Sequence, residues 1–175
     1  MNEVIKAIKE RRSIRSFKPD MPDKELIDQI IEAGLYAPSA KNRQGAIILK
    51  IANKQVIEMF REENCRIGGF AEGTDPFYGA PVILVVLGDA SGKNGAYDGA
   101  LVMQNLMLAA HSLGLGSIWI NRAREEFEME KFQKLLKDLG VEGEWAGVGH
   151  CAIGYIDGEV PPAHPIREGR VYSID

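Results

Sequence analysis

The segment Tyr97–Leu113 constrains the fold more than any other part of the chain. Its sequence, YDGALVMQNLMLAAHSL, is apolar on almost every side of a helical projection. A helix of this composition is buried in a large core or at a subunit interface, because water would otherwise contact apolar side chains all round. We therefore predict that this segment is the central helix of the fold.

Shorter segments on both sides of this helix alternate between helical and strand patterns. Asn2, with one residue between it and VIKAIKERR, predicts a capped first helix, and Pro22 and Asp23 begin a second one. The pattern favours one α+β domain over residues 1–175. Strands are predicted at Ala46–Ala52, Pro81–Leu87 (buried on both faces), Gly114–Ile120 and Trp145–Tyr155, and further helices at Lys54–Glu63 and Glu126–Leu139.

Two segments lack a regular pattern. Residues 66–79 combine glycines, a proline and aromatic side chains that we expect to be exposed. This composition is typical of a mobile loop over a site, and a plain connector is equally compatible with it. From Ile156 onward, Pro161, Pro162 and Pro165 exclude a helix or a central strand. We expect this tail to run extended over a surface.

Composition excludes several classes of protein. The longest apolar run, Ala80–Leu87, is too short to cross a bilayer, and the N-terminus has mixed charge rather than a signal-peptide pattern. The net charge of −4 disfavours general binding to nucleic acid or acidic lipid. We expect a cytoplasmic protein without nucleic-acid or membrane partners, in which Cys65 and Cys151 are reduced.

The sequence lacks the familiar catalytic motifs. Gly147, Gly149 and Ala152 satisfy G-x-G-x-x-A, but a strand and a turn follow them instead of the helix that dinucleotide binding requires. The histidines have no metal-binding spacing, so no metal is predicted, and each is expected to be packed or hydrogen-bonded. A chain without an evident acid, base or nucleophile can leave the chemistry to a cofactor. We therefore assign no side chain a directly catalytic role.

Segments from one end of the chain to the other resemble, in order, the signatures of the nitroreductase family of flavoproteins. They are RRSIRSF at Arg11–Phe17, APSAKNRQ at Ala37–Gln44, GLGSIWI at Gly114–Ile120 after the long helix, and PPAHPIREGRVYSI in the tail. The resemblance implies a nitroreductase-like α+β fold with a central, mainly antiparallel sheet flanked by helices. It also implies a homodimer with FMN at the interface and a tail from about residue 156 that lies over a surface or the partner subunit.

Arg11, Arg12, Arg15 and Lys18 form a cationic cluster within eight residues. Such a cluster fits a small anionic ligand, although a solvated face is an alternative interpretation. Arginine suits phosphate because its planar guanidinium offers paired charge-assisted donors, and a serine hydroxyl adds another donor. Arg11 and Ser13, with Arg167 or Arg170 from the tail, are therefore candidates for the FMN phosphate. The family often has Pro-Arg-Lys where this chain has Pro165–Arg167, so one cationic contact is lost unless Arg170 replaces it.

The resemblance also implies contacts with the flavin ring. Arg15 would lie near the pyrimidine edge, where its charge would stabilise the reduced flavin, and Arg12 would support one end or the other. Asn42 can donate and accept hydrogen bonds to the ring edge or the ribityl chain, or it can simply form the turn. The other implied contacts are Pro38, Ser39 and Ala40 from the second subunit, Gln44 of the same turn, and Trp119, Ile120, Asn121 and Arg122 along the ring, with a backbone amide close to N5. Trp119 is equally compatible with the core.

The resemblance implies an FMN-dependent oxidoreductase. NADH or NADPH would reduce the flavin at N5, and an acceptor such as a nitroaromatic or a quinone would then use the same pocket in a ping-pong reaction. One alternative is a non-catalytic FMN-binding carrier or redox sensor. Another is reductive dehalogenation or flavin fragmentation, which the short chain disfavours because relatives with those activities tend to carry lid insertions. The sequence does not identify the acceptor, the choice between NADH and NADPH, or the reactivity of Cys65.

Overall fold

A computed structural model describes residues 1–174 of the chain. Helices and strands alternate along it, and the long helix predicted from the sequence is present. In chain order the elements are α1 (Glu3–Glu10), α2 (Lys24–Leu35), a 3-10 turn (Ala40–Asn42), β1 (Ala46–Ile51), α3 (Lys54–Gly68), β2 (Val82–Asp89), α4 (Gly95–Ser112), β3 (Gly116–Ile120), α5 (Ala123–Phe127), α6 (Glu130–Asp138) and β4 (Trp145–Gly154).

The strands form one sheet in the order β1-β2-β4-β3, and every neighbouring pair is antiparallel. The predicted α+β fold with an antiparallel central sheet is therefore confirmed. Strand β2 is buried on both faces, also as predicted, because its successive side chains enter opposite cores. Ile83, Val85 and Leu87 belong to one core cluster, and Val82, Leu84 and Val86 belong to the other.

Helices cover both faces of the sheet. On one face, α2 and α4 bury Ile30, Met103 and Leu106 completely. On the other face, the rings of Phe60 from α3 and Phe132 from α6 pack with centroids 4.6 Å apart. Burial of each such side chain contributes about 1.5–3 kcal/mol, so these two layers hold the sheet in place.

Local signals explain where the helices begin and end. Oδ1 of Asn2 accepts a hydrogen bond from the backbone N–H of Val4 at 2.9 Å, so the predicted cap of α1 is confirmed. Helix α3 is longer than the predicted Lys54–Glu63. It continues to Gly68 and ends because Gly69 adopts a left-handed conformation with φ +62°, as is usual at helix ends.

The single helix predicted at Glu126–Leu139 is wrong, since two helices occupy this part of the chain. Helix α5 ends at Phe127, and Met129 adopts an extended conformation before α6 begins. This break allows Phe127 and Phe132 to enter the same core cluster. A periodic pattern cannot reveal such a break, because both short helices keep apolar spacing.

The segment 66–79 is more ordered than its composition suggests. Oδ1 of Asp75 accepts a hydrogen bond from the N–H of Phe77 at 2.8 Å, and its Oδ2 accepts one from Gly79 at 2.7 Å. The expectation of exposed aromatic side chains is wrong for Phe77, which is 1% exposed, and holds for Phe70 at 41%. The segment therefore joins the core at one end and leaves an aromatic ring exposed at the other.

The C-terminal tail follows a bridge between Phe17 and Ile156. From residue 157 to residue 174 it contains neither helix nor strand, as the prolines predicted. Within residues 1–174, no helix combines the length and the apolar character needed to cross a bilayer.

Candidate functional site

Arg15 and the end of β3 line one cleft of about 260 Å³. Arg15 and the segment Trp119–Arg122, which the resemblance placed along one flavin ring, therefore lie in the same cleft. The C-terminal half of β3 lines the cleft together with Arg15 and Arg122. The other lining residues come from Phe70, Thr74, Asp75, Pro76, Tyr78 and Ile118.

Arg15 reaches this cleft because the chain after α1 runs beside β3. Ser13 forms a parallel bridge with Ser117, and the N–H of Ile14 donates to the carbonyl oxygen of Ser117 at 3.1 Å. The buried side chain of Ile14 fixes this segment against the core. Arg15 follows directly and is exposed at the mouth of the cleft.

Arg122 is held in an unusual backbone conformation. Its φ is +79°, in the left-handed region that residues other than glycine rarely adopt. Its Nε donates to Oδ1 of Asn64 at 2.8 Å, and its guanidinium lies 4.7 Å from the centroid of the Phe70 ring. These contacts hold the side chain across the cleft and offset the backbone strain.

A buried polar network lies behind the same turn. His150 and Glu126 are both completely buried, and Nε2 of His150 lies 2.6 Å from Oε2 of Glu126. Nδ1 of His150 donates to the carbonyl oxygen of Ile120 at 3.2 Å. Nδ2 of Asn64 donates to Oε1 of Glu126 at 3.2 Å and to the carbonyl oxygen of Asn121 at 2.9 Å. The polar groups of the network therefore satisfy one another.

Sequence reasoning missed this network. The available signal was a histidine in the otherwise apolar segment WAGVGHCAIGY, but nothing in the sequence pairs it with Glu126. The expectation that each histidine is packed or hydrogen-bonded is confirmed for His150 and is wrong for His164, which is exposed in the tail. Pairing across the fold depends on the register of β3 and β4, where Ile120 lies opposite His150.

Arg11 and Arg12 supply donors that lack protein partners. Nη1 of Arg12 donates to the carbonyl oxygens of Lys9 and Arg11, but its Nε is buried without a hydrogen-bond partner. Nη1 of Arg11 is also buried without a partner. Burial, and secondarily the charge of Arg12, lowers the pKa of Arg11 from its ordinary value. Buried unpaired donors are costly, so these side chains are suited to an anionic ligand.

The turn that contains Pro38, Ser39, Ala40, Asn42 and Gln44 lies elsewhere in the subunit. Oγ of Ser39 accepts a hydrogen bond from the N–H of Gln44 at 2.8 Å, and Oδ1 of Asp98 accepts one from the N–H of Ala40 at 3.1 Å. Asn42 and Gln44 have positive φ values of 51° and 53°. Ser39 and Gln44 line a separate cavity of about 180 Å³ that has no residue in common with the Arg15 cleft.

The tail arginines are exposed. Neither Arg167 nor Arg170 makes an ion pair within residues 1–174. Ile166 and Tyr172 beside them are 83% and 88% exposed.

The cysteines are free thiols with different surroundings. Complete burial raises the pKa of Cys151 to about 12, so this thiol is unsuited to be a nucleophile at neutral pH. Cys65 is half-buried, and its Sγ donates to the carbonyl oxygen of Thr74 at 3.1 Å.

Close packing explains Gly147 and Gly149, so their G-x-G-x-x-A spacing does not require a bound dinucleotide. A side chain on Gly147 would place Cβ 2.0 Å from the carbonyl oxygen of Ala123, and one on Gly149 would meet Nε1 of Trp119 at 2.4 Å. Both glycines lie within β4 rather than before a helix. They allow α5 and the half-buried Trp119 to approach the sheet closely.

Comparisons with known proteins agree with this architecture. The chain is 31% identical over 146 residues to an FMN reductase [NAD(P)H] of Bacillus subtilis, and the match spans 71% of this chain and 56% of that protein. A nitroreductase of Bacteroides fragilis solved with bound FMN superposes with a TM-score of 0.90, 27% identity and complete coverage of both chains. A nitroreductase of Desulfitobacterium hafniense, also solved with bound FMN, gives a TM-score of 0.87 at 30% identity, with 99% of both chains covered.

A family model gives the most direct assignment. The model of the nitroreductase family matches residues 8–67 and 71–155, which include the N-terminal arginines, the Ser39 turn and all strands of the sheet. The likeness proposed from the short sequence segments is therefore confirmed over most of the chain. This chain belongs to the nitroreductase family.

Proposed function

We propose that this chain is an FMN-dependent NAD(P)H oxidoreductase whose flavin lies along the cleft of Arg15 and Trp119–Arg122. The observation that carries the proposal is the set of buried, unpartnered donors on Arg11 and Arg12 directly before this cleft. The FMN bound by structural relatives and the use of NAD(P)H by the Bacillus subtilis relative support it. We further propose that residues 1–175 form one FMN-binding domain.

The residues fit FMN from one end to the other. The phosphate would be bound by Arg11 and Ser13, joined by Arg167 or Arg170 from the extended tail. The unpartnered Nη1 of Arg11 gains an acceptor in this arrangement, which removes the cost of its burial. Arg12 would support the same end of the cofactor through its buried Nε.

The ring end of the cleft is suited to a flavin that alternates between two charge states. Bound FMN would supply hydride acceptance and donation at its N5. The exposed guanidinium of Arg15 supplies a fixed positive charge beside the pyrimidine edge, which stabilises negative charge on that edge. The backbone of Ile120, Asn121 and Arg122 would orient the ring, and the side chain of Trp119, which also lines the cleft, packs against Gly149. No side chain of the cleft needs to act as an acid or base.

The proposed active unit is a homodimer, because one subunit leaves the FMN site incomplete. None of Pro38, Ser39, Ala40, Asn42 and Gln44 lines the Arg15 cleft, and Ser39 and Gln44 line a separate cavity, so we propose that this turn reaches the flavin of the other subunit. The apolar surface needed for dimerisation is present on α1 and α4. Val4, Ile5, Ile8, Tyr97 and Leu101 are between 44% and 72% exposed.

A groove of about 510 Å³ between α1 and α4 adds to this exposed apolar surface. We propose that the apolar tail, with Ile166 and Tyr172, lies over the partner subunit in the dimer. A molecular mass near twice that of the 19.3 kDa chain in light scattering of the flavin-loaded protein is expected. A flavin-loaded monomer would overturn this part of the proposal.

We propose a ping-pong reaction in which NAD(P)H and the acceptor use the cleft in turn. The residues proposed to lie along the flavin ring line one cleft, so both substrates would approach the flavin through the same opening. Nitroaromatics and quinones are the proposed acceptors, because flat aromatic rings suit this opening. Parallel lines in double-reciprocal kinetics are expected, and intersecting lines would contradict the shared cleft. A cytoplasmic location, where thiols stay reduced, fits the free cysteines.

The cofactor proposal can be tested by titrating the flavin-free protein into FMN and following flavin fluorescence. The wild-type protein should bind FMN stoichiometrically, and Arg11→Ala should weaken binding at least tenfold because it removes a charge-assisted phosphate contact. Arg124→Ala, an exposed arginine on α5, is the matched control and should leave the affinity within twofold. Equal affinities for all three proteins, or no binding by the wild type, would refute the assignment.

A further inference from the structure

We infer that Glu126 and His150 are positioning residues that fix the turn Ile120–Arg122 and polarise its peptide groups toward the flavin. The inference rests on the proposed function, since it concerns the turn that lies along the FMN ring. It goes beyond the family assignment because it depends on a buried network of side chains in this chain. Neither residue lines the cleft, so neither contacts the flavin.

The network contacts three successive residues of the turn. His150 donates through Nδ1 to the carbonyl oxygen of Ile120, and Asn64 donates through Nδ2 to the carbonyl oxygen of Asn121. Oδ1 of Asn64 accepts from Nε of Arg122. Glu126 contacts both donors, because one of its carboxylate oxygens meets His150 and the other meets Asn64. Removal of Glu126 would therefore release both donors.

These hydrogen bonds act on the peptide groups whose N–H sides belong to the cleft residues. The carbonyl of Ile120 shares a peptide group with the N–H of Asn121, and the carbonyl of Asn121 shares one with the N–H of Arg122. A donor on the carbonyl of a peptide strengthens its N–H as a donor, because hydrogen bonds in a chain polarise one another. The buried side chains therefore raise the donor strength of both turn amides without touching a ligand.

The protonation pattern of the pair follows from its geometry. Nδ1 of His150 carries a proton because a backbone carbonyl can only accept. A second proton lies between Nε2 of His150 and Oε2 of Glu126, so that the pair is neutral overall on either assignment of this proton. A neutral pair can stay buried, and this explains how both side chains have no exposed surface.

The strain at Arg122 shows why the turn needs such support. A left-handed backbone is strained for arginine because its Cβ lies too close to the following carbonyl oxygen, and the φ of +79° persists here because surrounding contacts fix it. Asn64 supplies that contact on one side, and Phe70 supplies it on the other. Asn64 also holds the peptide directly before Arg122, and His150, itself bound to Glu126, holds the peptide before that one.

The test uses a double variant that keeps the fold. Glu126→Leu together with His150→Phe replaces the neutral pair by apolar side chains, which is commonly tolerated, and Phe60 and Phe77 already pack around the His150 ring. Amide hydrogen exchange is followed by NMR in the flavin-free protein. We expect the protection factor of the amide at position 126, whose N–H donates to the carbonyl oxygen of Arg122 and closes the turn, to fall at least tenfold, while protection in the buried strand β2 stays within twofold.

The conservative variant and the flavin-loaded protein complete the test. Glu126→Gln keeps acceptor and donor positions toward Asn64 and His150, so the protection of its amide at position 126 should stay within twofold of the wild type. In the loaded protein, the double variant should lose kcat at least tenfold with little change in FMN affinity. Unchanged protection at position 126 in the double variant, or an equal loss in Glu126→Gln, would overturn the inference.

The failure of this inference and the failure of the proposed function can be told apart. If the wild type binds no FMN, the proposed function fails, and amide exchange in the flavin-free protein still decides the role of the network. If the wild type is loaded and active but the amide at position 126 does not respond, only the positioning role fails.

Discussion

Nε of Arg122 donates a hydrogen bond to Oδ1 of Asn64 at 2.8 Å while the backbone of Arg122 has a φ of +79°. The contact joins the start of α5 to the buried side of α3 and so crosses two elements that are distant in sequence. It leaves the rest of the guanidinium over Phe70 at the rim of the cleft. The conformation at the rim is therefore set by tertiary contacts and not by the local sequence.

Two substitutions at Arg122 separate its side-chain contacts from its backbone strain. Arg122→Ala and Arg122→Gly both lose the hydrogen bond to Asn64, but only glycine adopts a positive φ without strain. We expect the glycine variant to be more stable than the alanine variant by about 1 kcal/mol. Chemical denaturation of both variants measures this difference. An alanine variant as stable as the glycine variant would show that the turn relaxes.

Gly147 should not tolerate a side chain. Its added Cβ would lie 2.0 Å from the backbone carbonyl oxygen of Ala123, which cannot move without shifting α5. We expect Gly147→Ala to reduce the free energy of unfolding by about 3 kcal/mol, at the upper end of overpacking costs. Gly92→Ala is the control, since nothing lies within 4 Å of the added carbon there, and it should change stability by less than about 0.5 kcal/mol. Similar losses in both variants would contradict the packing argument.

Glu63 forms ion pairs with Lys131 and with Arg66, and these contacts predict a pH dependence of stability. Hydrogen bonds from Lys131 and then Arg66 lower the pKa of Glu63 from its ordinary value of 4.5. A lowered folded pKa means that the stabilisation is complete above about pH 4.5 and is lost as the pH falls through the folded pKa. Glu63→Gln should therefore cost about 1 kcal/mol at pH 7, a value reduced by solvent screening, and less as the pH falls to 2.5.

Glu62 provides a neighbouring control for this dependence. It is exposed and makes no ion pair within residues 1–174, so Glu62→Gln should have little effect at either pH. Thermal melts of both variants and the wild type at several pH values compare them directly. A loss in Glu63→Gln that persists unchanged at pH 2.5 would point to packing instead of charge.

The thiols should differ in reactivity. Cys151 is completely buried, and its pKa is raised to about 12, so iodoacetamide should not modify it in the folded protein at pH 8. Cys65 is half-buried and should be modified first. Peptide mass spectrometry gives the modified fraction at each site, with unfolded protein as the control in which both sites react. Preferential modification of folded Cys151 would contradict its described burial.

The sequence predicted the elements of the fold well because burial leaves clear patterns. The apolar β2 segment and the long α4 segment were recognised from their apolar patterns, whereas the end of α3 at Gly68, before the left-handed Gly69, was missed. The break at Met129 was missed since it depends on how Phe127 and Phe132 reach one core. Periodicity reports which side chains are buried but not which other side chains they meet.

For the site, too, the sequence indicated which segments matter but not which side chains contact each other across the fold. Arg15 and Trp119–Arg122 were brought together correctly from a resemblance, and the cleft contains all of them. The network of Asn64, Glu126 and His150 could not be predicted, because its members lie on three different elements. The relation of the Ser39 turn and the tail arginines to the cleft remains a prediction that depends on the second subunit.

The most direct test of the central claim is the visible absorption spectrum of the FMN-loaded protein under anaerobic conditions, before and after addition of NADH or NADPH. The proposal predicts a flavin spectrum that bleaches on addition of at least one nicotinamide and returns when a quinone is added. A loaded protein whose spectrum neither nicotinamide changes would contradict a reductase and favour a flavin carrier or sensor.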